Sequence, residues 1–262
     1  MYPYDLFLGL DLYDLLIAVG FFAALLFFRF WADRRDFGAE LQNLVIVSAL
    51  CGALGGFFSA MLFQAFYHYM DGSAFVLNER TGSTFYGGLL GGAVIFLAVY
   101  FLGGKLFLRS RDAVTHFFSL SEIAAGSIAL AHGFGRLGCL MAGCCHGEVT
   151  DAWYGVYHVS LDARAVPLQL FEAIFLFGLA ALLTWRLWKK QRGNFGLYLL
   201  AYAVWRFCIE YLRADERGAT LVSFLTPSQL VACLLALVGV GFWLVEYRLG
   251  MKKNGKGSEG DA

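Results

Sequence analysis

Two groups of residues have types and spacings that could do chemistry. The first is ionisable: Arg136, and then Arg206, Glu210 and Arg213 at i, i+4 and i+7, a spacing that puts them on one helical face with Tyr202 one turn back. All lie in or at the ends of long apolar runs. There an ionisable group costs at least about 2.5–3.5 kcal/mol at the bilayer centre and so faces a polar interior. An Arg206–Glu210 ion pair could hold a bundle together. It would satisfy one arginine and leave Arg136 and Arg213 without carboxylates, and surplus guanidiniums facing a cavity suit an anion, most simply a phosphate. The second group is the run Gly138-Cys139-Leu140-Met141-Ala142-Gly143-Cys144-Cys145-His146-Gly147. Three chemistries fit it: a structural disulfide or buried thiols, a reactive thiol activated by Arg136 one turn before Cys139, or a metal site. The C-x4-C-C-H order matches no standard zinc spacing, and neither a metal nor a cofactor is expected.

The elements that must position these residues are membrane helices. Of the 262 residues, 59% are hydrophobic and only 15% charged, against about 25% charged in soluble domains. Net charge is zero, so nothing points to nucleic acid. About 20 apolar residues cross a bilayer core, and on that rule seven spans are expected: Leu12–Phe28, Leu44–Phe66, Phe85–Leu102, Leu120–Met141, Leu168–Leu187, Phe195–Leu212 and Pro227–Tyr247. Lysines and arginines in the loops, the tail and the cytoplasmic end of the fifth span (Arg186) alternate, 14 on one side against four on the other. That asymmetry predicts an outside N-terminus and a cytoplasmic C-terminus, with the loops around Asn78 and Asp162 facing outward. Tyr86, Arg136 to Gly147 and Arg206 to Arg213 then gather at the outer leaflet, where a lipid headgroup could enter. The first segment carries Asp5, Asp11 and Asp14 and has no cleavage signature, so no signal peptide is expected. Residues 1–251 are expected to form one all-α transmembrane catalytic domain, and 252–262 a disordered cytoplasmic tail.

Glycines punctuate the spans. Gly87/Gly91, Gly88/Gly92 and Gly52/Gly56 are small-xxx-small pairs, which let helices approach closely in lipid. Gly133-Phe134-Gly135-Arg136-Leu137-Gly138 matches a dinucleotide-binding fingerprint by letter only. It lies inside an apolar helical run, with no preceding strand.

The segments FYGGLLGG, GRLGCLMAGCCHG and YAVWRFCIEYLRAD, in this order and spacing, resemble the signature segments of the prolipoprotein diacylglyceryl transferases. The resemblance implies a multi-pass enzyme of the bacterial plasma membrane with its active site toward the outer leaflet. Such an enzyme moves a diacylglyceryl group from phosphatidylglycerol to the lipobox cysteine of a preprolipoprotein signal peptide. By resemblance Arg136 and Arg206 hold the phosphate, Tyr202, Glu210, Gly87 and Gly88 line the site, and Gly147 shapes the loop. The family's usual histidine is Tyr86 here, and Cys139 and Cys144 replace an asparagine and a glutamate. The general base is therefore open among His146, His132, Tyr86 and Glu210. Two other readings stay open: a paralogue with a phospholipid donor and another acceptor, and a membrane thiol-redox or metal-handling protein.

Overall fold

The structure is a computed structural model that describes residues 5–7, 9–72, 74–78, 81–82, 84–108, 110–213 and 225–257. Its helices are α1 (Leu12–Arg34), α2 (Ala39–Met70), α3 (Phe85–Phe107), α4 (Ser110–Ala142), α5 (Leu168–Trp188), α6 (Asn194–Ile209) and α7 (Pro227–Gly257), and a 3-10 turn (Glu210–Leu212) follows α6. Among the described residues there are also two short antiparallel hairpins, β1 (Asp5–Phe7) with β2 (Leu10–Asp11) and β3 (Val156–His158) with β4 (Ala163–Ala165). Among the described residues seven helices are long and apolar enough to cross a membrane. They are the seven expected, in the expected order.

Several helices outrun the apolar stretches that revealed them. At 1.5 Å per residue, the 32 residues of α2 span roughly 48 Å, more than the ~30 Å hydrocarbon core. Hydropathy marks only the part of a helix that lipid must cover. The polar ends propagate because each added residue gains a backbone hydrogen bond. α4 likewise begins at Ser110, ten residues before its apolar run. α7 continues to Gly257, into the segment expected to be a tail, and residues 258–262 lie outside those described. So do Arg80, Arg109 and Arg217, three of the loop charges counted for topology.

The chain forms two compact units: residues 32–117, and residues 1–31 with 118–262. In the first, α2 and α3 meet through the glycine pairs. A Cβ on Gly56 would lie 2.9 Å from the Gly88 carbonyl oxygen, and one on Gly92 would lie 2.9 Å from that of Gly52. Only hydrogen fits between backbones so close, which is the packing role the spacing predicted. In the second unit, Ala125 and Ala129 of α4, Leu176, Leu179 and Leu183 of α5, and Tyr198, Leu199 and Tyr202 of α6 make the core. Glu122 fixes the start of α6 by accepting hydrogen bonds from the Gly193 and Asn194 amides at 2.6 and 2.7 Å. Such a carboxylate satisfies orphan helix N–H groups and favours the positive end of the dipole. The stretch Gly133–Gly138 is continuous helix, so the dinucleotide reading is excluded. Gly133 packs beneath Phe177 and Gly138 beneath Tyr13.

Candidate active site

The ionisable cluster lies wholly in the second unit, where α4, α5, α6 and the start of α7 meet. Arg136 of α4 is not without a carboxylate. Its Nη2 lies 3.1 Å from Oε1 of Glu172 on α5, and the Glu172 side chain is 2% exposed. The same oxygen accepts a 2.8 Å hydrogen bond from the Tyr202 hydroxyl of α6. His132, one turn before Arg136, stands with Nε2 3.9 Å from Glu172 and Nδ1 3.3 Å from the Tyr198 hydroxyl. Its ring meets that of Tyr202 edge-on at 4.7 Å. Arg206 donates through Nη2 to Glu210 Oε2 at 2.7 Å and to Ser228 Oγ at 2.8 Å. Thr226 donates to the other Glu210 oxygen at 3.0 Å.

This corrects the idea that a surplus of arginines marks the site. Arg136 and Arg206 each have a carboxylate, and the two pairs cancel in charge. The reason is tertiary: Glu172 is remote in sequence and comes from the facing helix. What distinguishes the pair is the donors left over. Arg136 Nε and Arg206 Nη1 are buried without a hydrogen-bond partner. A buried unmet donor on a charged group is costly, so each of these two atoms is a place that an acceptor oxygen could fill.

Arg213 departs from its expected position. α6 ends at Ile209 and the chain tightens into the 3-10 turn, closed by the Arg213 amide donating to the Glu210 carbonyl at 3.2 Å. Arg213 is extended, with φ −88° and ψ 142°. It therefore does not continue the face of Arg206 and Glu210. Its backbone instead bridges to Gly147, and its guanidinium lies beside Cys145.

Cys139 occupies the last turn of α4. Gly143 and Cys145, both left-handed at φ 78° and 64°, fold the following chain back, and the Sγ atoms of Cys139, Cys144 and Cys145 come within 4.8 Å of one another. All six cysteines are free. Hydrogen bonds from Cys139 and Cys144, with Arg213 nearby, pull the Cys145 thiol well below its usual range, while contacts with Cys139 and Cys145, and then burial, hold Cys144 well above it. Gln169, one turn before Glu172 on α5, donates to the Cys144 carbonyl. The sulfur cluster and the Arg136–Glu172 pair are thus successive rungs between α4 and α5. Gly147 is required to be small: a Cβ there would lie 2.8 Å from the Leu212 carbonyl oxygen. His146 lies in the same loop, its Nδ1 2.9 Å from the Gly147 carbonyl oxygen and its ring 4.9 Å from that of His158. His158 is fully buried with neither ring nitrogen partnered. Burial, and then His146, hold it below the usual histidine range.

Tyr86, Gly87 and Gly88 belong to the first unit. There Gly87 fits against Phe63 and its carbonyl accepts from Ser59 at 2.9 Å. The residues that sequence reasoning passed over are Glu172, Gln169, Ser228, Thr226 and Tyr13. Glu172 had a signal: it is the single charge in the apolar run Leu168–Leu183, and an intramembrane charge is a functional candidate by default.

A polytopic helical bundle with a buried arginine–carboxylate cluster beside a glycine-shaped loop is the framework of a membrane-embedded enzyme. The family model for prolipoprotein diacylglyceryl transferase matches residues 4–245, and the chain belongs to that family of transferases. It is 31% identical over 252 residues to phosphatidylglycerol–prolipoprotein diacylglyceryl transferase 2 of Clostridium perfringens, covering 93% of this chain and 94% of that one. The corresponding protein of Clostridium tetani is 30% identical, with 87% and 90% covered. That of Dehalococcoides mccartyi strain 195 is 28% identical, with 90% and 89% covered.

Proposed function

We propose that the protein transfers the diacylglyceryl group of phosphatidylglycerol to the lipobox cysteine of preprolipoproteins, in the bacterial inner membrane with its site toward the outer leaflet. The observation that carries the reading is the pair of buried, unpartnered donors, Arg136 Nε and Arg206 Nη1, on guanidiniums that Glu172 and Glu210 hold in place. Phosphate oxygens would complete those hydrogen bonds. As the glyceryl C–O bond breaks and charge gathers on the phosphate, the same fixed donors stabilise it without reorganising. Tyr202 and Glu172 hold Arg136, while Ser228 orients Arg206 and Thr226 orients Glu210. Gly147 and the Cys139–Cys145 turn form the adjoining wall. The loop charge asymmetry supports the orientation, with the N-terminus outside.

Complementation tests it: a strain depleted of its own transferase should regain growth with this gene, and its lipoproteins should carry a diacylglyceryl thioether by mass spectrometry. A second reading, a phospholipid donor with another acceptor, is favoured by Tyr86, Cys139 and Cys144 at positions where the family pattern differs. It would be supported if phosphatidylglycerol were consumed while lipobox peptides stayed unmodified.

A further inference from the structure

The cysteine cluster is the chemical feature that the phosphate site does not use. Three thiols are an odd number, so a disulfide between any two leaves the third over. A cation can take all three. Thiolates around a tetrahedral zinc at about 2.3 Å sit about 3.8 Å from one another, and the three Sγ atoms here already lie within 4.8 Å. The spacing along the chain is not that of a zinc motif, yet the left-handed Gly143 and Cys145 bring the sulfurs together regardless. Three sulfurs fill three of the four tetrahedral positions, and with Cys144 exposed and Cys139 and Cys145 half-buried the fourth is left for a ligand from outside the cluster. That is the pattern of catalytic rather than structural zinc.

We propose that Cys139, Cys144 and Cys145 bind a thiophilic d10 cation, Zn(II), whose open position takes the acceptor thiol. The inference rests on the transfer reaction proposed above and gives its nucleophile an activator where no histidine occupies position 86. Cys139 is one turn from Arg136 on α4, and Gln169, which holds Cys144, is one turn from Glu172 on α5. Three residues of helix rise about 4.5 Å, the scale separating a phosphate from a sulfur that attacks the carbon bearing it. The acceptor thiol binds as thiolate, because a thiol coordinated to zinc is deprotonated, and its proton passes to water. The sulfur attacks the glyceryl carbon that bears the phosphate. The S–C bond forms as the C–O bond breaks, and glycerol phosphate departs with the bonding pair toward Arg136 and Arg206. The metal keeps its oxidation state, and the product thioether, a poor ligand, leaves it.

The test uses the full-length protein in detergent, reduced, stripped by chelator and titrated with Co(II) or Zn(II) chloride. One Co(II) per chain should bind with sulfur-to-metal charge-transfer bands. Cys139→Ser, Cys144→Ser and Cys145→Ser should each weaken binding at least tenfold at unchanged elution in size-exclusion chromatography, and Cys233→Ser should not. A lipobox peptide should shift the visible Co(II) spectrum, and its Cys→Ser analogue should not. Stripping should slow transfer at least a hundredfold, with recovery on adding Zn(II). Absence of the charge-transfer bands, their survival when all three cysteines are replaced, or a spectrum blind to the peptide thiol would overturn the proposal. So would full transfer by stripped or disulfide-bonded protein, and in that case the transfer reading stands alone. If the Co(II) spectrum answers the thiol but no diacylglyceryl moves in any metal state, the metal site stands and the transferase reading falls.

Discussion

Replacing Arg136 with alanine has two consequences that can be separated. Arg136 touches Glu172, whose side chain is 2% exposed, at 3.1 Å. Its removal strands a carboxylate held otherwise by the Tyr202 hydroxyl. Breaking one side of a buried ion pair costs about 3–5 kcal/mol of stability, so Arg136→Ala alone should lower membrane abundance. Removing one transition-state charge contact should separately cost roughly 2.7–4 kcal/mol in the barrier, a hundred- to thousandfold in turnover. The double variant Arg136→Ala/Glu172→Gln distinguishes the two effects. It deletes both charges and should recover abundance, because no uncompensated carboxylate remains. Its turnover per molecule should stay down a hundred- to thousandfold, because the phosphate has still lost a donor. The assay is transfer to a lipobox peptide at protein levels matched by quantitative blotting. A double variant that works at a tenth of the wild-type rate or better would reduce Arg136 to a counter-charge for Glu172.

Three further outcomes are expected, two from the packing of side chains and one from the charge of the loops. Arg206→Lys should lose most activity, since an ammonium cannot reach Glu210 and Ser228 and still offer the free edge of a planar fork, whereas exposed Arg164→Ala should transfer normally in the same assay. Gly92→Val should destabilise by about 1–3 kcal/mol as an overpacked contact, read as a lower melting temperature in detergent, while Gly178→Ala, with nothing within 4 Å of its Cβ, should leave it unchanged or raise it. Reporter fusions should place Asn78 and Asp162 outside and Arg111 and Gln191 inside; a cytoplasmic signal at Asp162 would contradict the proposed orientation.

The seven spans were legible because lipid imposes a composition on every helix that crosses it, and the Gly52/Gly56 and Gly88/Gly92 pairs because backbone contact admits nothing larger. Arg136 and Arg206 were legible as functional candidates, since charge inside a span is expensive, and Tyr202 because it lies one turn back on the face of Arg206. Glu172 was not joined to them. Its pairing with Arg136 depends on how α4 and α5 face each other, and no spacing within one helix reveals that. Arg213 was misplaced because helical periodicity was carried through Glu210–Leu212, where the tighter turn rotates the chain off the α6 face. The convergence of Cys139, Cys144 and Cys145 depends on two left-handed residues. Only Gly143 advertises that geometry by its type.

The proposed activity stands on phosphatidylglycerol as the donor and a lipobox cysteine as the acceptor. Purified protein in phosphatidylglycerol vesicles, given a lipobox peptide, tests it by mass spectrometry of the peptide together with assay of released glycerol phosphate. One diacylglyceryl group per peptide, bound at the cysteine sulfur, and glycerol phosphate in equal amount are expected, with neither formed in phosphatidylethanolamine vesicles or by Arg206→Ala. An unmodified peptide in phosphatidylglycerol vesicles, with wild-type protein folded and at matched concentration, would contradict it.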